Sequence, residues 1–315
     1  MPAMLDAAAT AARLPYPELA QAIAGMLAEL RAGTAFAPAR IALPVGEGEG
    51  AGTLLVMPAR NRDLVMTKNI TVHPGNPARG LPAILGEVVV ADASTGERLA
   101  LLDGPTVTGR RTAAVSLLAA QSFAPKPDGE LLIVGAGVQA MTHLEAFAAG
   151  LPLRRVWFQS RTPARAEALA AHARALGLEA EVVATVQEVL PRVSMVVTVT
   201  SSRAPVLPDL DSGLWQDHHF VAAVGAFRPD MCELPPALCH AAARSGRLLA
   251  DTLAGIEDEA GDLLQAGIDW ATVNPFEQAI LQAEGLRARA GSALVFKSVG
   301  YALWDLAACV VASRA

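Results

Sequence analysis

Leu131-Leu-Ile-Val-Gly-Ala-Gly-Val-Gln-Ala-Met-Thr-His-Leu-Glu-Ala-Phe147 is the stretch whose reading decides the fold. Its four leading apolar residues read as a buried strand, and Gly135-Ala136-Gly137 follows at once. From Val138 the apolar positions change to helical spacing, with Met141, Leu144 and Phe147 on one face. Strand, glycine turn and helix therefore meet at a G-x-G-x-x-A motif. Gly135 permits the tight turn, Gly137 lets backbone approach a pyrophosphate, and Ala140 keeps helix and strand close. Gly135, Ala136, Gly137, Val138 and Gln139 are the expected phosphate loop, with the free N–H groups of the helix start facing the anion. The same motif without its flanking strand and helix would be weak evidence, because a packed turn can also carry it.

Around that unit the chain divides in two. From Glu130 onward strand-like and helical runs alternate: Val156–Phe158, a helix from Pro163 to Leu176, Glu181–Val183, Met195–Val199, Phe220–Val224 and Arg247–Ala250. This alternation predicts right-handed crossovers and a doubly wound parallel α/β sheet, the Rossmann arrangement. Before it come a helix from Pro15 to Gly33 and five short strands near Arg40–Pro44, Thr53–Met57, Asp63–Ile70, Glu87–Ala91 and Arg98–Leu102. Gly- and Pro-containing segments separate these strands, which predicts a second α+β domain with short antiparallel strands. A helix over Val107–Phe123 and the breaker Pro125-Lys-Pro-Asp-Gly129 close the first part. Ser298 to Val311 is apolar on most of its circumference and reads as a buried helix. The expected domains are 1–124 and 125–297.

Composition limits the function classes. Hydrophobic residues make up 52% of the 315 and charged residues 18%, so the chain has a large core. A net charge of −6 argues against nucleic acid. No apolar run is long enough to span a bilayer, and the start lacks a basic region followed by an apolar block. The expectation is a cytoplasmic protein without a membrane partner. Three cysteines, Cys232, Cys239 and Cys309, cannot form a disulfide framework, and Cys239-His240 with Cys232 fits no common metal-ligand spacing.

After the second Rossmann strand, an NAD site usually places a carboxylate that bonds the ribose 2′-OH. This chain has Gln159-Ser-Arg-Thr162 there. Ser160, Arg161 and Thr162 offer one cation and two hydroxyls to a 2′-phosphate, so NADP(H) is favoured over NAD(H). Thr162 ahead of Pro163 also suits a helix N-cap, and both readings can hold. Lys68 sits among apolar neighbours in a strand-like run. Half-buried, it would have a lowered pKa and could donate a proton; at an exposed strand position it would do neither. Of Arg110-Arg111 in an apolar helix, one is expected outside and the other inward toward a carboxylate. Arg40 opens a strand and is ambiguous by itself. His218-His219 falls at a strand start, where a turn is the easier explanation.

Met66-Thr-Lys-Asn-Ile-Thr-Val-His-Pro-Gly-Asn76, Ala100-Leu-Leu-Asp-Gly104, Arg111-Thr-Ala-Ala114, Val134-Gly-Ala-Gly-Val-Gln-Ala140, Ser160-Arg-Thr162 and Phe296-Lys-Ser-Val-Gly300 occur in that order. Together they resemble the ornithine cyclodeaminase/mu-crystallin family over about Arg40 to Ala308. The resemblance implies a Rossmann domain plus a substrate-binding and dimerisation domain, completed by the C-terminal helix (298–315), in a homodimer. It implies that Lys68 is the active-site lysine and that Arg40 and Arg111 hold the substrate carboxylate or help place the nicotinamide. Thr200, Val224 and Ser298 match positions lining the nicotinamide, and Val299 and Gly300 fall on the substrate side.

Two departures bear on the reaction. Ornithine cyclodeaminases carry Asp directly after the glycine matching Gly225, whereas Val224-Gly-Ala-Phe-Arg-Pro-Asp-Met231 puts Ala226 there. Alanine cannot move protons, and Gly-x-x-Arg-Pro-Asp resembles the reductase branch. The second is Glu87, where relatives have a small hydroxyl residue; it either contacts a substrate ammonium or iminium or points to solvent. The resulting expectation is an NADPH-dependent reductase of imino acids such as 1-pyrroline-2-carboxylate or 1-piperideine-2-carboxylate, giving an L-amino acid. The alternatives are an NAD-dependent ornithine cyclodeaminase, an alanine dehydrogenase, and a mu-crystallin-like NADPH- or ligand-binding protein.

Overall fold

The structure is a computed structural model and describes residues 3–48 and 51–314. The chain forms two compact units: Met1–Thr112 with Tyr301–Ala315, and Ala113–Gly300. The division falls inside the helix Gly104–Phe123, earlier than the expected boundary after residue 124. The helix's own bonds account for this. Arg111 bonds Asp305 in the first unit, whereas Ser116 bonds His143 in the second.

In the first unit, β1 (Ala3–Met4), β2 (Ile41–Val45), β3 (Gly52–Arg60), β4 (Leu64–Val72), β5 (Ile84–Asp92) and β6 (Arg98–Asp103) form one sheet in the order β1-β6-β5-β4-β3-β2. β2 to β6 pair antiparallel as expected, while β1, which the sequence reading lacked, pairs parallel with β6. Strand side chains alternate between faces. Met57, Met66, Lys68, Ile70, Val88, Val90 and Leu102 are buried on one face. The helix Ala302–Ala312 packs on β3 and β4 and against the helix Tyr16–Arg31. Gly33, at φ 67°, follows the latter helix's C-cap, where a left-handed residue ends the helix without a Cβ penalty. The last helix begins later than Ser298, because Gly300 turns at φ 87° and Tyr301 is the extended N-cap. Its Tyr301 hydroxyl donates to Ala37 O at 3.1 Å.

In the second unit, β7 (Glu130–Val134), β8 (Arg155–Gln159), β9 (Glu179–Val182), β10 (Val193–Thr198), β11 (Phe220–Ala223), β12 (Leu248–Ala250), β13 (Asn274–Pro275) and β14 (Leu294–Lys297) form a wholly parallel sheet. Its order is β13-β12-β14-β11-β10-β7-β8-β9, so connections leave β7 in both directions. A ligand crevice is expected at the carboxyl ends beside such a reversal. β14 is the main surprise. In sequence Phe296–Gly300 is only a motif, yet Leu294–Lys297 inserts between β11 and β12. Four buried residues in a row have no period to separate strand from helix. Leu132, Val134, Val196, Val221 and Val295 from neighbouring strands meet in one core, each contributing roughly 1.5–3 kcal/mol.

Candidate active site

In the first unit, β4 carries Lys68 to the buried face of the sheet, at 1% exposure. Its Nζ donates to Asp305 Oδ2 at 2.7 Å, and Arg111 Nε donates to Oδ1 of the same carboxylate at 2.9 Å. Asp305 sits fully buried in the helix Ala302–Ala312, whose other residues are almost all apolar. Burial is the largest influence on Lys68 and pulls its pKa down to about 8; Asp305 opposes that, while Arg111 and Arg40 add to it. One carboxylate thus bonds two cations, with Arg40 a third positive charge acting on Lys68. Among the described residues Arg111 Nη1 is buried without a hydrogen-bond partner, an expensive state that a ligand carboxylate would relieve.

The arginines separate as follows. Arg111 points inward, to Asp305. Arg110 is half-buried rather than fully outside: its Nε donates to Leu14 O at 2.8 Å and its guanidinium lies 3.9 Å over the Tyr16 ring. Arg40 is half-buried immediately before β2. Glu87 is placed elsewhere. Ile41, Val56, Asn69, Glu87 and Asp103 form one rung across five strands, next to the rung of Met57, Lys68, Val88 and Leu102. Adjacent rungs point to opposite faces, so Glu87 lies exposed on the face away from Lys68. Within this unit it takes no part in the lysine cluster.

In the second unit, the phosphate loop has the required shape. Gly135 has φ 120°, and a Cβ there would lie 2.7 Å from Val199 O. Gly137 is extended and exposed, with nothing within 4 Å of a Cβ position, so the space above it is open. The helix Val138–Gly150 that it caps has no side-chain cap, leaving the first N–H groups for an anion. Val138 is exposed, Ala136 and Gln139 are half-buried, and Ala140 is fully buried against the strand. After β8, Arg161 and Thr162 are exposed and Ser160 is half-buried. Thr162 occupies the N-cap of the helix Pro163–Ala175 without a side-chain cap bond, and its N–H donates to Ser160 Oγ at 3.2 Å. These residues fit a dinucleotide, and none of them is a carboxylate.

Thr200, Val224 and Ser298 follow the carboxyl ends of the adjacent strands β10, β11 and β14. Buried carboxylates hold all three loops. Thr200 N and Oγ1 donate to Glu233 Oε1 at 2.6 and 2.8 Å, while Thr198 Oγ1 and Gly225 N donate to Oε2 at 2.9 and 2.7 Å. Burial pushes the Glu233 carboxyl up, against the pull of Lys297. Asp262 Oδ1 accepts from the N–H groups of Glu233 and Leu234, and its Oδ2 accepts from Lys297 Nζ at 2.6 Å. Asp251 accepts from Ser298 Oγ at 2.8 Å and from the N–H groups of Val299 and Gly300 at 3.2 and 3.0 Å. Ala226 is fully buried.

Sequence reasoning missed Asp305, Glu233, Asp251 and Asp262. For Asp305 a signal existed: it is the one charged residue between Ser298 and Val311, and a lone carboxylate on an apolar helix must find a cation. The other three lie in stretches with no local signal. His219 anchors a turn, accepting from Gln216 N at Nδ1 and bonding Leu190 O through Nε2. Cys232, Cys239 and Cys309 are buried free thiols, and among the described residues no His, Cys, Asp and Glu group could hold a metal. No helix among them is long and apolar enough to cross a membrane.

The sequence pattern of the ornithine cyclodeaminase/mu-crystallin family matches residues 1–314. Delta(1)-pyrroline-2-carboxylate reductase 1 of Burkholderia multivorans is 41% identical over 317 residues, covering 99% of this chain and 95% of its own length. The Delta(1)-pyrroline-2-carboxylate/Delta(1)-piperideine-2-carboxylate reductase of Azospirillum brasilense is 41% identical over 313 residues, with the same coverage of 99% and 95%. Among solved structures, Thermococcus litoralis Delta(1)-pyrroline-2-carboxylate reductase in complex with NADH and L-proline matches with a TM-score of 0.86. It is 26% identical over 99% of this chain and 96% of that chain.

Proposed function

Because the chain belongs to the ornithine cyclodeaminase/mu-crystallin family, we propose that it is an oxidoreductase that reduces cyclic imino acids of the 1-pyrroline-2-carboxylate or 1-piperideine-2-carboxylate type to L-amino acids. The observation that carries this reading is Lys68, buried beside Arg111, whose Nη1 has no partner. An α-imino acid presents a carboxylate and a basic nitrogen one carbon apart, which suits an arginine and a protonated lysine side by side. Arg111, with Arg40, holds the carboxylate and so orients the C=N bond. Lys68 gives its proton to the imine nitrogen, which makes the neighbouring carbon electrophilic. The lysine, left neutral, regains a proton from water. When bound, the nicotinamide cofactor supplies the hydride that this carbon accepts. With a pKa near 8, Lys68 holds its proton at neutral pH and can also part with it.

The phosphate loop Gly135–Gln139 would take the pyrophosphate, and Thr200, Val224 and Ser298 would line the nicotinamide. Ser160, Arg161 and Thr162 would take a 2′-phosphate, which favours NADPH over NADH. The absence of a proton-handling side chain at Ala226 disfavours deamination of ornithine. A second copy of the chain would cover the outer face of the first unit's sheet, where Ile41, Leu43, Val45, Val65 and Leu85 are exposed.

The test follows nicotinamide absorbance with 1-pyrroline-2-carboxylate, NADPH beside NADH. Rapid oxidation with NADPH preferred is the expected result, and Lys68→Ala should lose it. Ammonia release from ornithine with catalytic NAD, and no turnover of the imine, would replace this reading with cyclodeaminase. Tight NADPH binding with no turnover of any imine or keto acid would replace it with a binding protein.

A further inference from the structure

Asp305 is an unusual residue for its place. It lies at 0% exposure in a helix whose neighbours Leu303, Trp304, Leu306, Ala307 and Ala308 are also buried. A carboxylate in such surroundings is costly unless cations meet both its oxygens, and here each oxygen has one: Lys68 Nζ at 2.7 Å and Arg111 Nε at 2.9 Å. A stability role alone would be served as well by an apolar trio of similar volume.

We propose that Asp305 is the positioning residue of the reductive site, its carboxylate keeping Lys68 protonated while fixing Arg111 so that Nη1 is left for the substrate carboxylate. This rests on the reading of Lys68 as proton donor and goes further, by assigning what keeps that donor charged. The groups acting on Lys68 come from every side of it. Asp305 and Cys309 lie on the packed helix, Arg111 lies on Gly104–Phe123, Arg40 precedes β2, and Met57 and Val88 flank it uncharged on β3 and β5. Burial, Arg111 and Arg40 all favour the neutral amine, and Asp305 is the group that favours the ammonium. Without its charge the lysine would hold its proton less well at the pH where it must donate.

The chain has only three lysines, Lys68, Lys126 and Lys297, so the proton can be followed directly. Full-length protein labelled with ¹³C at lysine Cε gives three signals, with Lys68 assigned by its loss in Lys68→Arg. The Lys68 midpoint is expected near pH 8 in the parent protein and lower by about 1 unit or more in Asp305→Asn. Asp305→Glu should restore most of the shift, and the alkaline limb of kcat for imine reduction should move with the lysine. An unchanged midpoint in Asp305→Asn overturns the proposal. A midpoint that moves while the kcat limb stays upholds the role of Asp305 in charging Lys68 and removes Lys68 as the donor. Should Asp305→Asn fail to fold, Arg111→Gln carries the test: with the competing guanidinium gone the midpoint must rise, and a constant or lower one refutes the shared carboxylate.

Discussion

Each unit buries one lysine against one aspartate, and the two pairs are nearly identical in length: Lys68–Asp305 at 2.7 Å and Lys297–Asp262 at 2.6 Å. What differs is the company they keep. The second oxygen of Asp262 is taken by two backbone N–H groups, those of Glu233 and Leu234, so the carboxylate ties Lys297 to the loop behind Thr200 and Gly225. Asp305 instead gives its second oxygen to another cation, whose Nη1 remains without a partner. One pair is saturated with main-chain donors and belongs to the scaffold. The other leaves excess positive charge and an unused donor, which is what an anionic substrate requires. A buried ion pair does not by itself mark a site; unspent hydrogen-bonding capacity beside it does.

The sharpest way to break this comparison is to remove each lysine. Lys68→Met should cut imine turnover about 10²- to 10⁴-fold with the fold intact, because Arg111 still compensates Asp305. Full activity in that variant, measured by steady-state kinetics, would place Lys68 with the scaffold. Lys297→Met should do the reverse. It strands Asp262 without its cation and should cost about 3–5 kcal/mol of stability by urea unfolding. Unchanged unfolding there would mean that the main-chain donors alone satisfy Asp262.

Smaller effects sharpen the contrast within the second unit, between exposed groups held open for a ligand and buried groups already used. Arg161→Ala should raise KM for NADPH roughly 10-fold and leave that for NADH unchanged, since only one cofactor carries the 2′-phosphate. Equal losses with both would assign Arg161 to neither. His143 is the buried counterpart, bonded through Nδ1 to Gln139 O and through Nε2 to Ser116 Oγ. Burial lowers its pKa from 6.5 to about 4. The unfolded chain therefore binds the extra proton between those values, and stability falls as pH drops from 6.5 to 4. Thermal unfolding across that window should show a shallower fall in His143→Gln than in the parent protein.

How much of this was legible in the sequence varies with the range of the interaction. The strand, glycine turn and helix around Gly135-Ala136-Gly137 were fully legible, because they are contiguous and each glycine has a local reason. Five of the six strands of the first sheet were legible to within a few residues, since the Gly- and Pro-containing segments between them are local signals, whereas the two-residue β1 left none. The alternation of strands and helices after Glu130 was legible as well, but β14 was not, because Leu294–Lys297 is buried on both faces and carries no alternation. The two sides of the first sheet show the same limit. Lys68 and Glu87 are both polar residues in strands, and only the pairing register, Lys68 with Val88 and Asn69 with Glu87, sends them to opposite faces.

The sequence by itself determined the glycine turn between strand and helix at Gly135–Gly137, the absence of a carboxylate between Gln159 and Thr162, and an alanine rather than a proton-handling residue at position 226. Each is a matter of side-chain chemistry at neighbouring positions. Only the tertiary structure decided which cations share Asp305, which carboxylates brace Thr200 and Ser298, and where Leu294–Lys297 enters the sheet. Lys68 and Asp305 stand 237 residues apart in the chain. No local pattern records such a contact. The lysine is buried without a partner on its own strand, and the fold brings the aspartate to it from the last helix.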